Sequence, residues 1–368
     1  MVRALSLALL LASLQLGSLI SPAYACGCGV MVPRGSTEVS VDRETSVVTW
    51  DGRTEQIVMR LTVRGNAPEA AWIMPVPHRA SVELGDPALF SELADLTAPV
   101  PTARHHFWPR SGDWPFDVST GDSAAAPSAG APPVRVVGRE RLGPFDVARL
   151  AATDPGALRN WLDDNGFELP GRLATALKPY VDREWEYVAI RLVPQDGSDP
   201  LRGDLDPLVL RFANDRPVYP MRLSKLASTP QRLGLYVLAE HRMEPRDAIG
   251  GSTPEVTYAG RVGPGAARDG AGALAAVTGG KPVFLTAIEQ SFPHPERIDG
   301  DHELRAAPSD ASYRTPLYRN ELLTVGGVPA WLLSVVGAVL VVAVATRAAA
   351  RRGRRGRRPS AFGNLFAE

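Results

Sequence analysis

The run "VGGVPAWLLSVVGAVLVVAVAT", from Val325 to Thr346, holds no charged residue and constrains this chain more than any other stretch. At about 1.5 Å per helical residue it is long enough to cross a hydrocarbon core of about 30 Å. A buried helix of a soluble domain does not account for the length, nor for Arg347 and the "RRGRRGRR" from Arg351 to Arg358 that follow. Arginines flanking a spanning helix stay on the cytoplasmic side. Residues 324–346 therefore read as a transmembrane helix and residues 347–368 as a polybasic cytoplasmic tail, with the body of the chain outside. Trp331 falls near the outer interface, where amphipathic rings collect.

The other end agrees. Residues 1–25 read as a secretory signal: Arg3 is the positive start, Leu5 to Ile20 the apolar run, and Ala23-Tyr24-Ala25 the small-x-small cleavage site. An uncleaved signal anchor is the alternative. A lipidated Cys26 would require an aliphatic residue three positions earlier and a small one two earlier, where this chain has Ala23 and Tyr24. Cys26 then opens the mature chain in an oxidising compartment.

Formal net charge is zero, but the tail carries seven Arg against one Glu and the signal carries Arg3, so the ectodomain holds −7. That acidity argues against nucleic acid, whose binders show a basic face. The tail suits anionic lipid head groups through Arg351–Arg358, each worth about 1 kcal/mol near the surface. Stop-transfer explains it equally well.

With 34 Gly, 33 Pro and many short apolar runs, the ectodomain reads as α+β, mostly antiparallel sheet with a few short helices. In "TSVVTWDGRTEQIVMRLTVRG" two strands flank Asp51-Gly52, a turn dipeptide. Ile57, Met59, Leu61 and Val63 alternate with Arg60, Thr62 and Arg64, which predicts a half-buried strand. "AAWIMPVP" is a short strand, and Asp86 caps a helix in "DPALFSELADLT". Residues 26–110 form a strand-rich first part, residues 111–133 a flexible Pro/Ala/Gly insert, and residues 134–323 an α+β remainder. In the last part, "VRVVGRERLGPFDVARLAA" predicts a hairpin, and helices follow in "DPGALRNWLDDNGFELP" and "PGRLATALKPYVDR". Strands are expected at "EYVAIRLVP", "PLVLRFA", "PVYPMRLSKL", "RLGLYVLAEHRM" and "KPVFLTAIEQSF", the last of them. Residues 263–280 are expected to be a surface loop.

"AWIMPVP", "GPFDVARLAATDPGALRNWLDDNGFELP" and "DRPVYPMRLSKLASTPQRLGLYVLAEHR" stand in this order between a "CGCG" start and a terminal apolar helix. In this the chain resembles domain-of-unknown-function family 2330 over most of residues 26–320. The resemblance implies an exported, often membrane-tethered bacterial protein, and supplies no catalytic residues.

Candidate chemistry is sparse. There is no Gly-x-Ser-x-Gly elbow. "GALAAVTGGKP" lacks the first glycine and the Ser/Thr of a phosphate loop. No cofactor is implied. His294, Asp299, Asp301 and His302 in "HPERIDGDHE" are hard oxygen and imidazole ligands, but their spacing matches no metal loop, and a solvated acidic turn is the plainer reading. Trp108 and Trp114 adjoin the insert, where exposed rings would suit contact with a sugar or partner, or would anchor the insert by local packing. Cys26 and Cys28 are two thiols in "CGCG", too few for a closed zinc site and without the spacing of a redox helix. A bridge between them is expected, with pairing to another chain as the alternative. Two functional classes stand: an ectodomain binding a partner or polymer of the envelope without catalysis, or an envelope enzyme or redox/metal protein using Cys26/Cys28 or the His294–His302 cluster.

Overall fold

Asp51-Gly52 turns the chain where the sequence places the turn. Asp51 Oδ1 accepts the N–H groups of Arg53 (3.0 Å) and Thr54 (2.8 Å). Gly52 takes a φ of +96°, a left-handed value that a side chain would strain. The strands on either side, β2 (Val39–Trp50) and β3 (Thr54–Gly65), pair antiparallel from Val39↔Gly65 to Trp50↔Glu55. The computed structural model describes residues 28–35, 37–115, 145–150, 155–168, 171–193, 200–263 and 272–355. The chain divides into two units, residues 1–99 with 136–315 and residues 100–135 with 316–368.

In the first unit the β2–β3 hairpin lies inside a nine-stranded sheet. Its other strands are β5 (Ser81–Leu84), β9 (Gly203–Asp204), β10 (Leu208–Ala213), β12 (Gln231–Ala239), β14 (Glu255–Val262), β15 (Val283–Phe292) and β17 (Tyr313–Arg314). A four-stranded sheet runs β1 (Val30–Pro33), β4 (Ala70–Val76), β8 (Glu186–Leu192), β7 (Phe145–Leu150). A small third sheet joins β11 (Val218–Tyr219), β16 (His302–Ala306) and β13 (Met243–Pro245). Every pairing in these three sheets is antiparallel except β2 with β12.

Period-two alternation assigns side chains to layers. Ile57, Met59, Leu61 and Val63 of β3 meet Trp72, Met74, Val188 and Ile190 of the four-stranded sheet in one core. On the far face of that sheet, Ala71, Ile73, Tyr187 and Ala189 pack with Leu158, Leu162, Leu173 and Leu177 of α2 (Pro155–Asp164) and α3 (Gly171–Val181). On the far face of the larger sheet, Val47, Val58, Leu238 and Leu285 pack with α1 (Ala88–Thr97) and α4 (Ala273–Thr278). The order is helix, sheet, sheet, helix.

This layering amends several expectations. The β3 strand is buried on both faces at its centre: Val58 lies under α1, and the Arg60 guanidinium sits 4.6 Å from the Phe90 ring centroid. Within the expected 263–280 loop, residues 273–278 form α4. Its opening N–H groups at Ala273 and Leu274 are both taken by the Glu92 carboxylate at 2.9 Å, a partner 181 and 182 positions away. "PVYPMRLSKL" is a strand only at Val218–Tyr219, and Arg222–Leu226 form a 3₁₀ turn. Of the expected hairpin around residue 145, β7 is present and pairs with β8, while residues 134–144 lie outside the described residues.

The second unit adds strands that alternation did not reveal. β6 (Val100–His106) and β18 (Pro316–Leu322) form a parallel two-stranded ribbon. A hairpin of β19 (Thr324–Val325) and β20 (Val328–Pro329) follows, with Gly326 and Gly327 at φ +61° and +81°. The helix α5 (Ala330–Arg355) then starts, six residues after the helix start expected at 324. Its Ala330–Arg352 portion is long and apolar enough to cross a membrane.

Candidate functional site

Asp301 lies on the turn before β16 and is 2 % exposed at its side chain. Its Oδ1 accepts the Tyr180 hydroxyl (2.6 Å) and the N–H groups of Met221 (2.9 Å) and Arg222 (3.0 Å). Its Oδ2 faces Arg183 Nη1 at 3.5 Å and Arg222 Nε at 3.7 Å, and has no hydrogen-bond partner among the described residues. One carboxylate thus joins the end of α3, the start of the 3₁₀ turn and β16. Burial, and then the Asp301 charge, push the Tyr180 phenol well above its usual range, so it stays a donor. This also explains why the strand expected at "PVYPMRLSKL" stops. Pro220 has no N–H to give, and Asp301 claims the next two.

The four residues picked out as metal ligands therefore take separate roles. His294 is exposed beside Glu296 (3.4 Å). Asp299 Oδ1 accepts the Gly250 N–H at 3.4 Å. His302 is buried on β16 opposite Tyr219. Burial lowers its imidazole to about 4 against the opposing pull of Asp301, so it is neutral at ordinary pH. Among the described residues no group of three or more His, Cys, Asp or Glu side chains is placed to hold an ion. The turn is solvated at His294, Glu296, Asp299 and Glu303, while the Asp301 side chain and His302 are buried within it.

Two depressions that share Arg183 and Glu303 open beside Asp301, of about 260 Å³ and about 470 Å³. The smaller is walled by Arg222, Asp247 and Asp299, the larger by His78, Trp185 and Arg216. The Trp185 ring is backed by Tyr180 at 5.1 Å between centroids, and the Arg183 guanidinium lies 5.9 Å from its own. Fixed arginine donors, carboxylate acceptors and one aromatic face suit exchange of hydrogen bonds with a polar ligand. Asp301 is singled out by the sequence, and in the fold it accepts hydrogen bonds from Tyr180, Met221 and Arg222. Sequence reading missed Arg183, Arg216 and Arg222 because nothing local links them to residue 301.

Glu55 lies beneath this region, fully buried, with its carboxyl against Asn214 Nδ2 (2.6 Å) and the Val218 N–H (3.1 Å). Burial raises it to about 8 despite those bonds, so it is mostly protonated at neutral pH.

Cys28 is a free, buried thiol. Its Sγ lies 3.6 Å from Met74 Sδ and 3.9 Å from Met59 Sδ, in the core between the sheets. The Glu44 carboxylate accepts the Cys28 N–H (2.8 Å) and the Tyr219 hydroxyl, which also meets Ser46 Oγ at 2.6 Å. Burial first, and then Glu44, push the thiol well above its usual range, which keeps it protonated and unreactive. The Cys28 sulfur packs against thioethers, and the expected bridge joins it to a residue that the structure does not describe. Cys26 lies outside the described residues.

In the second unit Trp108 is 64 % and Trp114 54 % exposed. Phe107 meets Trp108 edge-on at 5.1 Å, and Trp114 lies against Trp331 at 6.2 Å and 34°. Trp114 packs on a neighbouring ring, and both indoles keep more than half of their surface exposed. Residues 116–133 of the insert lie outside the described residues.

The fold and site define a class first. This is a mostly antiparallel β protein layered with helices, with a polar cleft and a C-terminal helix apolar enough to span a membrane. The family follows from the chain itself. Residues 22–305 match DUF2330, described as an uncharacterized protein conserved in bacteria, and the chain belongs to that family. No curated protein matches it. Among solved structures, the crystal structure of baculovirus P35 is similar over 76 % of this chain and 98 % of that one, at 9 % identity and a TM-score of 0.34. So distant a likeness carries no argument.

Proposed function

We propose that this is a single-pass membrane protein of the cell envelope whose ectodomain binds a partner or polymer there without catalysing a reaction. Residues 1–25 direct export, α5 spans the cell membrane, residues 26–323 lie outside and residues 347–368 inside. The polybasic Arg351–Arg358 contacts anionic head groups on the cytoplasmic face. One observation carries the binding role. Asp301 Oδ2 is buried without a hydrogen bond in the wall of the smaller depression, between Arg183 and Arg222. A buried acceptor left unbonded costs free energy that an incoming donor recovers. Hydroxyls of an envelope polymer would donate to Asp301 and accept from Arg183 and Arg216, while Trp185 offers a ring face.

The test is crosslinking in cells from a photoreactive residue at position 216, with identification of what is captured. Arg183→Ala changes an arm of the cleft that is 44 % exposed. It is expected to reduce capture at least tenfold, with a smaller fall in unfolding temperature than Asp301→Ala, because Arg222 still pairs with the carboxylate. Equal capture by wild type and variant would remove the cleft from the function.

A further inference from the structure

We infer that the loop Phe107–Pro115 is a second membrane contact, its rings seated in the head-group layer beside the start of α5. The inference rests on α5 spanning the bilayer and is independent of what the cleft binds.

Depth is the first argument. Trp331 is the second residue of α5, and a tryptophan at the start of a spanning helix sits at the membrane–water interface. Trp114 lies against it, ring centroids 6.2 Å apart and planes 34° from parallel. A ring packed on an interfacial tryptophan shares its depth to within about one ring width, whichever way the helix tilts.

The loop is also held in shape. Asp113 Oδ2 bonds both His106 Nε2 (2.6 Å) and the Arg110 N–H (2.7 Å), and the Asp113 N–H returns to the Arg110 carbonyl at 3.0 Å. The His106 carbonyl accepts the Leu323 N–H (2.9 Å), and the Leu323 carbonyl accepts the Ala330 N–H (2.8 Å). An unbroken set of bonds therefore links the loop to the first residue of the helix. The backbone that carries the rings is closed on itself and cannot swing away from the start of the helix as an untethered loop would.

Chemistry selects the occupant. Three large rings, Phe107, Trp108 and Trp114, are 38 %, 64 % and 54 % exposed within nine residues. Such a patch marks a contact surface. Arg110 lies between Trp108 and Trp114 in the chain, is exposed and suits the phosphates of lipid head groups, while amphipathic indoles favour the zone between water and hydrocarbon. The neighbouring ribbon has two strands, which are marginal in water without further support. Contact along a lipid surface supplies that support, whereas a protein partner would have to reach a loop fixed at the membrane's own depth.

The test uses the full chain reconstituted in phosphatidylcholine vesicles, some of which carry lipids brominated near the head group. Bromine quenches only indoles within its reach. Trp108→Phe with Trp114→Phe keeps aromatic bulk and removes two of the three emitters near the interface, so the quenchable emission should fall by more than half. Trp331→Phe alone should remove the smaller remaining part. Quenching in the double variant equal to wild type would overturn the inference, since the loop would then lie outside the lipid. Vesicle flotation separates this from failure of the anchor: chains that do not float overturn the spanning assignment and the inference together. Oxidative footprinting of the unaltered chain in the same vesicles provides a check free of substitutions. Trp108 and Trp114 should oxidise no faster than Trp331, and faster oxidation of both would overturn the inference.

Discussion

The strands β3 and β6 follow opposite rules of burial. Of the twelve residues of β3, only Arg64 is exposed, while in β6 every residue but His106 is exposed. β3 lies between layers that the same unit provides, with sheet on one side and helix on the other. β6 belongs to a ribbon of two strands followed by an apolar helix. The first region is finished by its own side chains, down to a carboxylate that satisfies groups from two other elements. The second presents rings and apolar residues to its surroundings. The chain buries the Asp301 side chain in the first region and leaves the Trp108 ring open in the second.

The contrast breaks most readily at Asp301. Asp301→Ala leaves the Tyr180 hydroxyl, two backbone N–H groups and two guanidiniums without their acceptor. Breaking a buried pair from one side costs about 3–5 kcal/mol, which should appear as a large fall in the denaturant midpoint. A loss under about 1 kcal/mol would mean that solvent reaches these donors and the hub is not buried in solution.

The next effect is a pH dependence confined to the layered unit. Glu55 rises from 4.5 to about 8 on folding. Between those values the unfolded chain releases a proton that the folded one keeps, so stability falls as pH rises, by at most about 1.4 kcal/mol per unit. Glu44, also raised by burial, adds to the same limb. His302 drops from 6.5 to about 4 and acts oppositely, with stability lost as pH falls through that window. The two offset each other between pH 4.5 and 6.5, leaving a decline from 6.5 to 8 that belongs to the buried acids. Glu55→Gln should make that decline shallower in urea titrations at pH 6.5 and 8. An unchanged slope would show that Glu55 is already ionised in the fold.

The smallest effect sharpens the comparison from the other side. Asp113→Asn weakens the lock on the aromatic loop, where no layer of the sandwich depends on it. Thermal unfolding of the sandwich should shift by less than about 0.5 kcal/mol, as for most surface substitutions. Acrylamide quenching of the exposed tryptophans in detergent should rise. A fall in stability as large as that of Asp301→Ala would erase the distinction between the regions.

Much of the sandwich was legible because its signals are local. Asp51-Gly52 turns whatever surrounds it, Asp86 Oδ1 caps the Ala88 N–H at 2.9 Å, and Gly166 ends α2 at φ +76°. Alternation in β3 named the residues of the inner core correctly. It failed at Val58 and Arg60, because a second covering layer comes from α1 and α4 and leaves no mark on β3 itself. It failed at β6 and β18 for the converse reason, since strands open to the surroundings need no apolar alternation.

What the sequence determined by itself is the apolar C-terminal helix, the α+β class with antiparallel sheet dominant, the family, and the position of most turns and caps. Each depends on residues within a few positions of one another, or on composition. Only the tertiary structure decided what Asp301, His302, Cys28 and Trp114 are for. Asp301 meets Tyr180 across 121 positions and Met221 across 80, and Cys28 meets Met74 across 46. A carboxylate in "IDGDHE" looks the same whether it faces water, an ion or two backbone N–H groups. Its chemistry is set by what the fold brings to it and by how much water the surrounding layers exclude.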